Sequence, residues 1–272
     1  MALCKKALET ARRDGSNNDV RNYYSFRRGY PNRIMSKFES VSIILPLIDE
    51  TSSFAQTVDT LLETCGEDIR QLIVVVCERT TPESLAVCRR YEEQLNGRLV
   101  IHRQSLPFLG GALREGFELA AGSHVVTMAS DLETDPHDVM LFIELARKNP
   151  EAVITASRWR RGAGLTGYGP FRLAVNWIFQ KFFAAVYGTA LTDLTYGYRL
   201  FPVPLVRSIE WEDLGHSFMF ETLLKPLTLG VPILEVPSRW AARKEGRSHN
   251  TFRNRLDYLR TGIRIAARGR AA

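Results

Sequence analysis

The stretch Val125-Val-Thr-Met-Ala-Ser-Asp131-Leu-Glu133-Thr-Asp135-Pro136 places three carboxylates, two residues apart, directly after a short apolar run. Such a run predicts a buried strand. Carboxylates gathered at the end of a buried strand repel one another and lose hydration, so a cation is expected to offset their charge. Hard oxygen ligands favour Mg²⁺ or Mn²⁺, which often share coordination with substrate phosphates. The alternative is a polar loop in which Asp135-Pro136 begins the next helix.

Strands and helices alternate around this stretch. Apolar runs predict strands at 41–46, 71–77, 98–102, 123–128 and 152–156, and helical spacing fills the intervals 54–65, 82–95, 110–121 and 138–148. This alternation predicts an α/β fold: a Rossmann-like, doubly wound, mostly parallel sheet with helices on both faces. Because parallel strands end at one edge of the sheet, we expect Glu50, Glu78 and Asp131 to converge there.

The second half of the chain is less regular. Aromatic residues dominate a predicted helix at 171–187, and a further helix at 218–229 and a strand at 231–237 follow. Residues 251–268 predict a basic amphipathic helix, which either lies in the plane of a membrane surface or packs its apolar face on the body. We therefore divide the chain into a polar basic extension (1–39), a main domain (40–250) and a C-terminal helix (251–272).

The net charge of +6 is unevenly distributed. Residues 1–40 hold nine Lys/Arg and four Asp/Glu, and residues 239–272 hold ten and two, so the part between them is acidic. This pattern does not fit a general nucleic-acid surface. It favours basic ends that meet phospholipid headgroups or a lipid phosphate, although solvated tails would look the same.

The compartment is predicted from what the sequence lacks. No apolar leader and no uninterrupted apolar stretch of about 18 residues appears. The four cysteines have no CxxC spacing, which argues against a zinc site and favours a reducing environment. We expect a cytoplasmic protein that binds the cytoplasmic face of a membrane peripherally.

Six short motifs follow one another along the chain: Val41-Ser-Ile-Ile-Leu-Pro-Leu-Ile-Asp-Glu50, Val74-Val-Val-Cys-Glu78, Gly110-Gly-Ala-Leu-Arg-Glu-Gly116, Met128-Ala-Ser-Asp-Leu-Glu133, Thr192-Asp-Leu-Thr-Tyr-Gly-Tyr-Arg-Leu-Phe201 and Arg243-Lys-Glu-Gly-Arg-Ser-His249. In this order they resemble the family 2 glycosyltransferases of GT-A fold, and among these the polyprenyl- and dolichol-phosphate mannose (hexose) synthases. The resemblance covers about 41–259. It implies inverting, metal-dependent transfer of a hexose from a nucleotide-sugar (GDP-mannose or a UDP-sugar) to a polyprenyl phosphate.

The resemblance also implies a donor site. Asp131 and Glu133 would hold Mg²⁺ or Mn²⁺, with Asp131 also counted as catalytic. The nucleotide-sugar would meet residues from two strand ends and one helix start: Pro46, Glu50, Glu78, Gly110 and Gly111. The two glycines either let the backbone approach the nucleotide closely or form an ordinary helix-start turn.

A lipid phosphate is already anionic, so its binding site needs arginines more than a general base. The resemblance implies that Arg158 acts in catalysis and that further acceptor contacts come from Arg172, Arg243, Arg247 and Ser248. Asp193, the other implied catalytic residue, either binds the sugar or orients Arg199, which is itself counted as substrate-binding. Glu221 either contacts the sugar or makes a structural ion pair.

Three departures from the family pattern keep alternatives open. Ala129 stands where the first aspartate of the metal motif is expected, Cys77 replaces a base-facing aspartate, and His249 replaces a lysine. One alternative is the same fold acting on a sugar or protein hydroxyl, with Asp193 as general base. Another is a non-catalytic scaffold that binds sugar-nucleotides. An integral-membrane partner subunit is a further expectation.

Overall fold

The computed structural model describes residues 37–165, 169–242, 245 and 252–269. The strands are β1 (Val41–Leu47), β2 (Ile69–Val76), β3 (Leu99–Arg103), β4 (His124–Thr127), β5 (Val153–Ser157), β6 (Gly164–Leu165), β7 (Arg199–Pro202), β8 (Ile233–Pro237) and β9 (Arg239–Trp240). The helices are α1 (Ser52–Cys65), α2 (Pro82–Gln94), α3 (Phe108–Leu119), α4 (Asp138–Lys148), α5 (Pro170–Tyr187), α6 (Val203–Ser208), α7 (Phe218–Thr228) and α8 (Phe252–Gly269).

Seven strands form the central sheet in the order β3-β2-β1-β4-β7-β5-β8, and β6 pairs with β9 in a small second sheet. The pairs β1–β2, β1–β4, β2–β3 and β5–β8 are parallel. β7 runs antiparallel to both of its neighbours, β4 and β5. The ends of β1, β2 and β4 therefore meet at one edge of the sheet, as the strand pattern predicts.

Side chains on both faces of the sheet are buried, which explains why the strands read as continuous apolar runs. Ile43 and Leu45 of β1 face a core built with α1 and α4. Ile44, between them, faces the opposite core, which includes Phe117 of α3 and Phe183 of α5. The alternation follows from the two-residue period of a strand.

The predicted α/β fold with a mostly parallel doubly wound sheet is confirmed, including the C-terminal helix. Four short elements were not predicted from the sequence: β6, β7, β9 and α6. Strand β7 was not predicted, because its four residues begin with Arg199 and have no strand-like alternation. Helix α4 begins at Asp138, as the helical spacing predicts, so the alternative in which Asp135 and Pro136 begin this helix is wrong.

Helix α8 packs on α5 and α7. The Tyr187 hydroxyl donates to Gly262 O (2.7 Å), and Ile265 is buried. A Cβ on Gly262 would lie 2.2 Å from the Phe183 ring, so glycine permits this close approach. Among the described helices, we find none long and apolar enough to cross a bilayer.

Candidate active site

The ends of β1 and β4 are tied together at the sheet edge. The Ser130 hydroxyl donates to Pro46 O (2.7 Å). Just beyond β1, the carboxylate of Glu50 turns back to accept hydrogen bonds from Ile48 N (2.8 Å) and Asp49 N (3.2 Å). Glu50 is buried, so its carboxylate forms part of the wall of this edge.

Asp131 lies beside Glu50. Burial raises the pKa of Glu50 above its ordinary value, and the negative charge of Asp131 raises it further. Asp131 is itself buried, and its Oδ1 accepts a hydrogen bond from Glu133 N (3.0 Å). Leu132 between them has φ +63°, a left-handed conformation that is costly for a non-glycine residue. The edge therefore gathers negative charge in a tight turn.

These residues fit a divalent cation that takes part of its coordination from a substrate. Two close, poorly hydrated carboxylates would be stabilised by a hard cation. Within residues 37–165, 169–242, 245 and 252–269, no group of three or more His, Cys, Asp or Glu side chains is arranged to hold an ion by itself. The remaining oxygens would then have to come from a diphosphate and water, which is how Mg²⁺ is commonly bound.

The loop that carries Asp131 is held by hydrogen bonds from the segment just before β7. The Tyr196 hydroxyl donates to Glu133 O (3.4 Å), and the Tyr198 hydroxyl donates to Asp135 O (2.7 Å). Asp135 Oδ1 lies 2.8 Å from His137 Nδ1. Hydrogen bonds from the motif at 192–201 thus hold the acidic loop in position.

Asp193 and Arg158 form a buried ion pair behind this loop. Arg158 Nε donates to Asp193 Oδ2 (2.7 Å), and Arg158 Nη2 donates to Oδ1 (2.9 Å). The guanidinium also lies over the Tyr196 ring, 4.7 Å from its centroid. Although burial alone would raise the pKa of Asp193, the Arg158 guanidinium holds it below its ordinary value.

Asp193 accepts further hydrogen bonds that sequence reasoning did not find. Gln180 Nε2 of α5 donates to Asp193 Oδ1 (3.2 Å) and to Thr195 Oγ1 (2.8 Å). The Tyr196 amide donates to the same oxygen (3.2 Å). A fully buried carboxylate with a cation and several donors is a poor proton acceptor. Gln180 could have been noticed as one of two amide side chains, with Asn176, inside an aromatic helix.

Arg199 and Glu221 are fully buried. Arg199 donates to Thr155 Oγ1 (3.0 Å), Thr222 Oγ1 (2.7 Å) and Leu194 O (3.0 Å), and burial lowers its pKa to about 9. Glu221 accepts from Glu212 N (2.9 Å), Asp213 N (2.8 Å) and Lys225 Nζ (2.7 Å). Both side chains here bind protein groups, which favours the structural alternative for Glu221. Their substrate roles stay predictions.

Gly110 and Gly111 lie in the first turn of α3, where the helix packs closely against other segments of the chain. Gly110 N donates to Leu214 O (2.7 Å), and a Cβ on Gly110 would lie 2.6 Å from the Leu214 backbone. A Cβ on Gly111 would lie 2.6 Å from Leu106 O. The glycines thus permit close backbone approach, here to protein segments that border the sheet edge.

The remaining predicted site residues are exposed or lie outside the described residues. Glu78, after β2, and Arg172, in the first turn of α5, are exposed. Arg243, Arg247, Ser248 and His249 lie outside the described residues, as does 1–36 of the predicted extension. Their roles stay predictions.

Glu245 is a site residue that the sequence did not single out. Its carboxylate accepts hydrogen bonds from Thr51 N (2.9 Å), Ser53 N (3.1 Å) and Ser53 Oγ (2.8 Å), and it also contacts the Ser52 hydroxyl. Helix α1 has no acidic residue in its first turn and no side-chain cap of its own. Glu245 supplies both the acidic group and the cap, from 192 to 194 residues further along the chain.

We expect Glu245→Gln to lower the free energy of unfolding by about 1 kcal/mol at pH 7. The hydroxyl of Ser52 and the neighbouring amides lower the pKa of Glu245 to about 2, from 4.5. This stabilisation is therefore complete above about pH 4.5 and is lost as the pH falls towards 2. Urea unfolding at pH 7 and pH 3 measures the difference. The exposed Glu93→Gln is the control and should change little at either pH.

Asp138 should make the stability of the protein depend on pH in the opposite direction. Its Oδ2 is buried without a hydrogen-bond partner in the described part of the chain, and burial raises its pKa from 3.8 to about 7. Ionising Asp138 in the folded state is unfavourable. Its contribution to the free energy of unfolding therefore falls between about pH 4 and pH 7 and then levels off. Asp138→Asn should be more stable than the parent at pH 8, by at most about 4 kcal/mol, and equal to it at pH 4. Equal stability at both pH values would contradict the assignment.

Comparison with known proteins identifies the family and the fold of this chain. The model of glycosyl transferase family 2 matches residues 42–209. An undecaprenyl-phosphate mannosyltransferase of Micrococcus luteus is 27% identical over 217 residues, covering 76% of this chain and 86% of the relative. An undecaprenyl-phosphate 4-deoxy-4-formamido-L-arabinose transferase of Pseudomonas syringae is 26% identical over 44% of this chain and 38% of its own length.

Among solved structures, glucosyl-3-phosphoglycerate synthase from Mycobacterium tuberculosis, in complex with Mn²⁺, UDP and glucosyl-3-phosphoglycerate, superposes with a TM-score of 0.63. It is 15% identical, and the match covers 84% of this chain and 80% of that one. The likeness shows a shared GT-A fold. With the family model spanning more than half of the sequence, the chain belongs to glycosyl transferase family 2 and is a glycosyltransferase.

Proposed function

We propose that this enzyme transfers a hexose from a nucleotide-sugar to a polyprenyl phosphate at a membrane surface, with inversion and with Mg²⁺ or Mn²⁺. The sugar would be mannose or another hexose, carried on GDP or UDP. The relative from M. luteus, a mannosyltransferase named for undecaprenyl phosphate, supports the acceptor class. The synthase from M. tuberculosis, seen with UDP and Mn²⁺ or Mg²⁺, supports the donor class and the cation.

The burial and ion pairing of Asp193 are the observation that supports a phosphate as the acceptor. A hydroxyl acceptor needs a base to take its proton. Asp193, the predicted base, is fully buried, is paired with Arg158 and has a lowered pKa. A phosphate acceptor arrives as an anion and needs no such base, so the arrangement favours it.

The cation would be held by Asp131 and Glu133, and it would neutralise the charge that develops on the leaving diphosphate. Glu50 and Glu78 are proposed to face the nucleotide, from the ends of β1 and β2. Arg172 is exposed in the first turn of α5, where the helix dipole also favours an anion. We assign it to the acceptor phosphate, together with Arg243, Arg247 and Ser248.

The same proposal covers location and organisation. The enzyme would act at the cytoplasmic face of a membrane, held there peripherally or through an integral-membrane partner. Residues 40–250 would form the catalytic unit, with 1–39 as a basic extension and 251–272 as a membrane-directed helix.

Donor turnover tests the proposal. The protein is incubated with Mn²⁺ or Mg²⁺, a panel of UDP- and GDP-sugars and a short polyprenyl phosphate, and the glycolipid is detected by mass. We expect a cation-dependent glycolipid from one donor. Donor hydrolysis without glycolipid would favour another acceptor. In that case Arg172→Ala should have little effect on turnover, whereas a lipid phosphate acceptor predicts a large loss. Asp193→Asn is not used for this comparison, because it also breaks the buried pair with Arg158.

A further inference from the structure

Phe108, the first residue of α3, has a backbone conformation that an aromatic residue rarely adopts. Its φ is +63°, in the left-handed region that glycine enters without cost. Its side chain is 69% exposed, so burial in the core does not offset the strain. Strain of this kind is concentrated at functional sites, and Leu132 in the acidic loop has the same φ. An exposed ring on a strained backbone therefore calls for a function.

The turn before Phe108 is held by hydrogen bonds from two side chains. Glu115 Oε1 accepts from Ser105 N (2.9 Å) and Leu106 N (2.6 Å). Gln104 Nε2 donates to Leu106 O (2.6 Å) and to Phe108 O (3.2 Å). A strained residue persists where its surroundings over-determine its conformation. These bonds impose the backbone of the turn, so the position of the exposed ring is fixed in advance.

Helix α3 brings Phe108 to the edge of the sheet where the carboxylates lie. A helix that connects parallel strands runs antiparallel to them, and a Cβ on Gly116 would lie 2.7 Å from Ile44 Cδ1, in the middle of β1. The eight residues from Gly116 back to Phe108 span about 12 Å, which reaches the level of the carboxyl end of β1. Gln104 N also donates to Val76 O (2.9 Å), at the end of β2.

The order of groups along this edge identifies the occupant. The strands lie in the order β3-β2-β1-β4, so the turn after β3 and the proposed cation ligand Asp131 after β4 are about 14 Å apart. A nucleoside diphosphate carries its base and its diphosphate at opposite ends. Glu50 and Glu78 follow the two strands in between. A nucleotide that meets both carboxylates, with its diphosphate beside Asp131, would therefore place its base next to Phe108.

We propose that the ring of Phe108 stacks on the base of the donor nucleotide, and that the strained turn presents the ring for this contact. The inference rests on the proposed function and names a residue that binds the donor. Every nucleobase has a π-face, so stacking on an aromatic ring is favourable for any base. A purine covers more of the ring than a pyrimidine, so the contribution should be larger for GDP than for UDP.

Nucleotide binding measured by calorimetry tests this contact. GDP and UDP are titrated separately, with Mn²⁺, into the full chain. We expect Phe108→Ala to raise the dissociation constant of the bound nucleotide by about tenfold or more. Phe108→Tyr keeps an aromatic face and should stay within about twofold of the parent. Leu119→Ala, at an exposed apolar residue at the other end of α3, is the matched control and should bind as the parent does.

Phe108→Gly separates a binding role from a structural one. Glycine adopts a positive φ without strain, so this variant should melt at the same temperature as the parent or at a higher one. It should nevertheless bind the nucleotide as weakly as Phe108→Ala does. A purely structural role for the ring predicts the reverse, a lower melting temperature with unchanged nucleotide affinity.

The remaining outcomes separate this inference from the proposed function. Unchanged affinity for GDP and UDP in Phe108→Ala would overturn the inference and leave the proposed function standing. A raised KM for the polyprenyl phosphate, with unchanged nucleotide affinity, would overturn it in favour of a contact with the lipid chain. Binding of neither nucleotide by the parent would overturn it together with the proposed donor. Weakened nucleotide binding in a protein that forms no glycolipid would support the inference and count against the proposed acceptor.

Discussion

Asp131→Asn is expected to lower kcat by about a hundredfold or more while leaving the protein folded. The substitution removes the charge of the buried carboxylate that follows β4, a charge that raises the pKa of Glu50. It should also relieve the repulsion between these two carboxylates, so thermal stability should be unchanged or slightly higher. The loss of turnover would then follow from weaker cation and diphosphate binding rather than from unfolding.

Turnover as a function of Mn²⁺ concentration is the measurement for this prediction. Asp131→Asn should raise the half-saturating concentration as well as lower the maximum. Asp135→Asn is the matched control: it lies in the same loop, is partly exposed and bonds His137. It should keep most of the activity. Equal loss in both variants would mean that the loop's shape, and not a ligand, accounts for the effect.

Arg158→Met is expected to lower the free energy of unfolding by about 3–5 kcal/mol. The guanidinium makes two side-chain hydrogen bonds to Asp193, which is fully buried. Removing it leaves an uncompensated carboxylate in the interior, and that penalty is much larger than the net value of the pair. Transfer should be lost in the same variant, because the pair holds the segment that positions Tyr196 against the acidic loop.

The double variant Arg158→Met/Asp193→Asn separates charge from packing. Asn is neutral but can still accept the bonds from Gln180 and the Tyr196 amide. We expect urea unfolding to show that it recovers much of the stability lost in Arg158→Met. If the double variant is as unstable as the single one, the buried charge is not the cause, and the cost comes from lost packing of the arginine.

The sheet and its acidic edge could be predicted from sequence because they depend on local patterns. Runs such as Val41–Leu47 are too apolar and too β-branched to be anything other than buried strands. Once they are parallel, the ends of β1 and β4 must lie side by side, so Glu50 and Asp131 were expected together. The alternation predicted a doubly wound sheet, and the GT-A fold was implied by the family resemblance that the ordered motifs carry.

The interior of the site could not be predicted in the same way, because its contacts join distant parts of the chain. Arg158 meets Asp193 across 35 residues, and Glu245 caps a helix that begins at Ser52. No periodicity links such positions; only the folded arrangement does. Arg199 illustrates the limit: an arginine in a motif invites a phosphate-binding role, whereas here its hydrogen bonds are made within the protein.

The antiparallel strand β7 has a consequence for the order of folding. In the seven-stranded sheet, β4 and β5 are joined through β7, which pairs with both. A nascent chain that has emerged only as far as β5 would hold four strands, β3-β2-β1-β4, with an unpaired edge and β5 detached. Exposed edges of this kind pair with other chains. Joining β5 to the other strands must wait until residues 199–202 leave the ribosome, so the buried guanidinium of Arg199 arrives together with the strand that links β4 to β5.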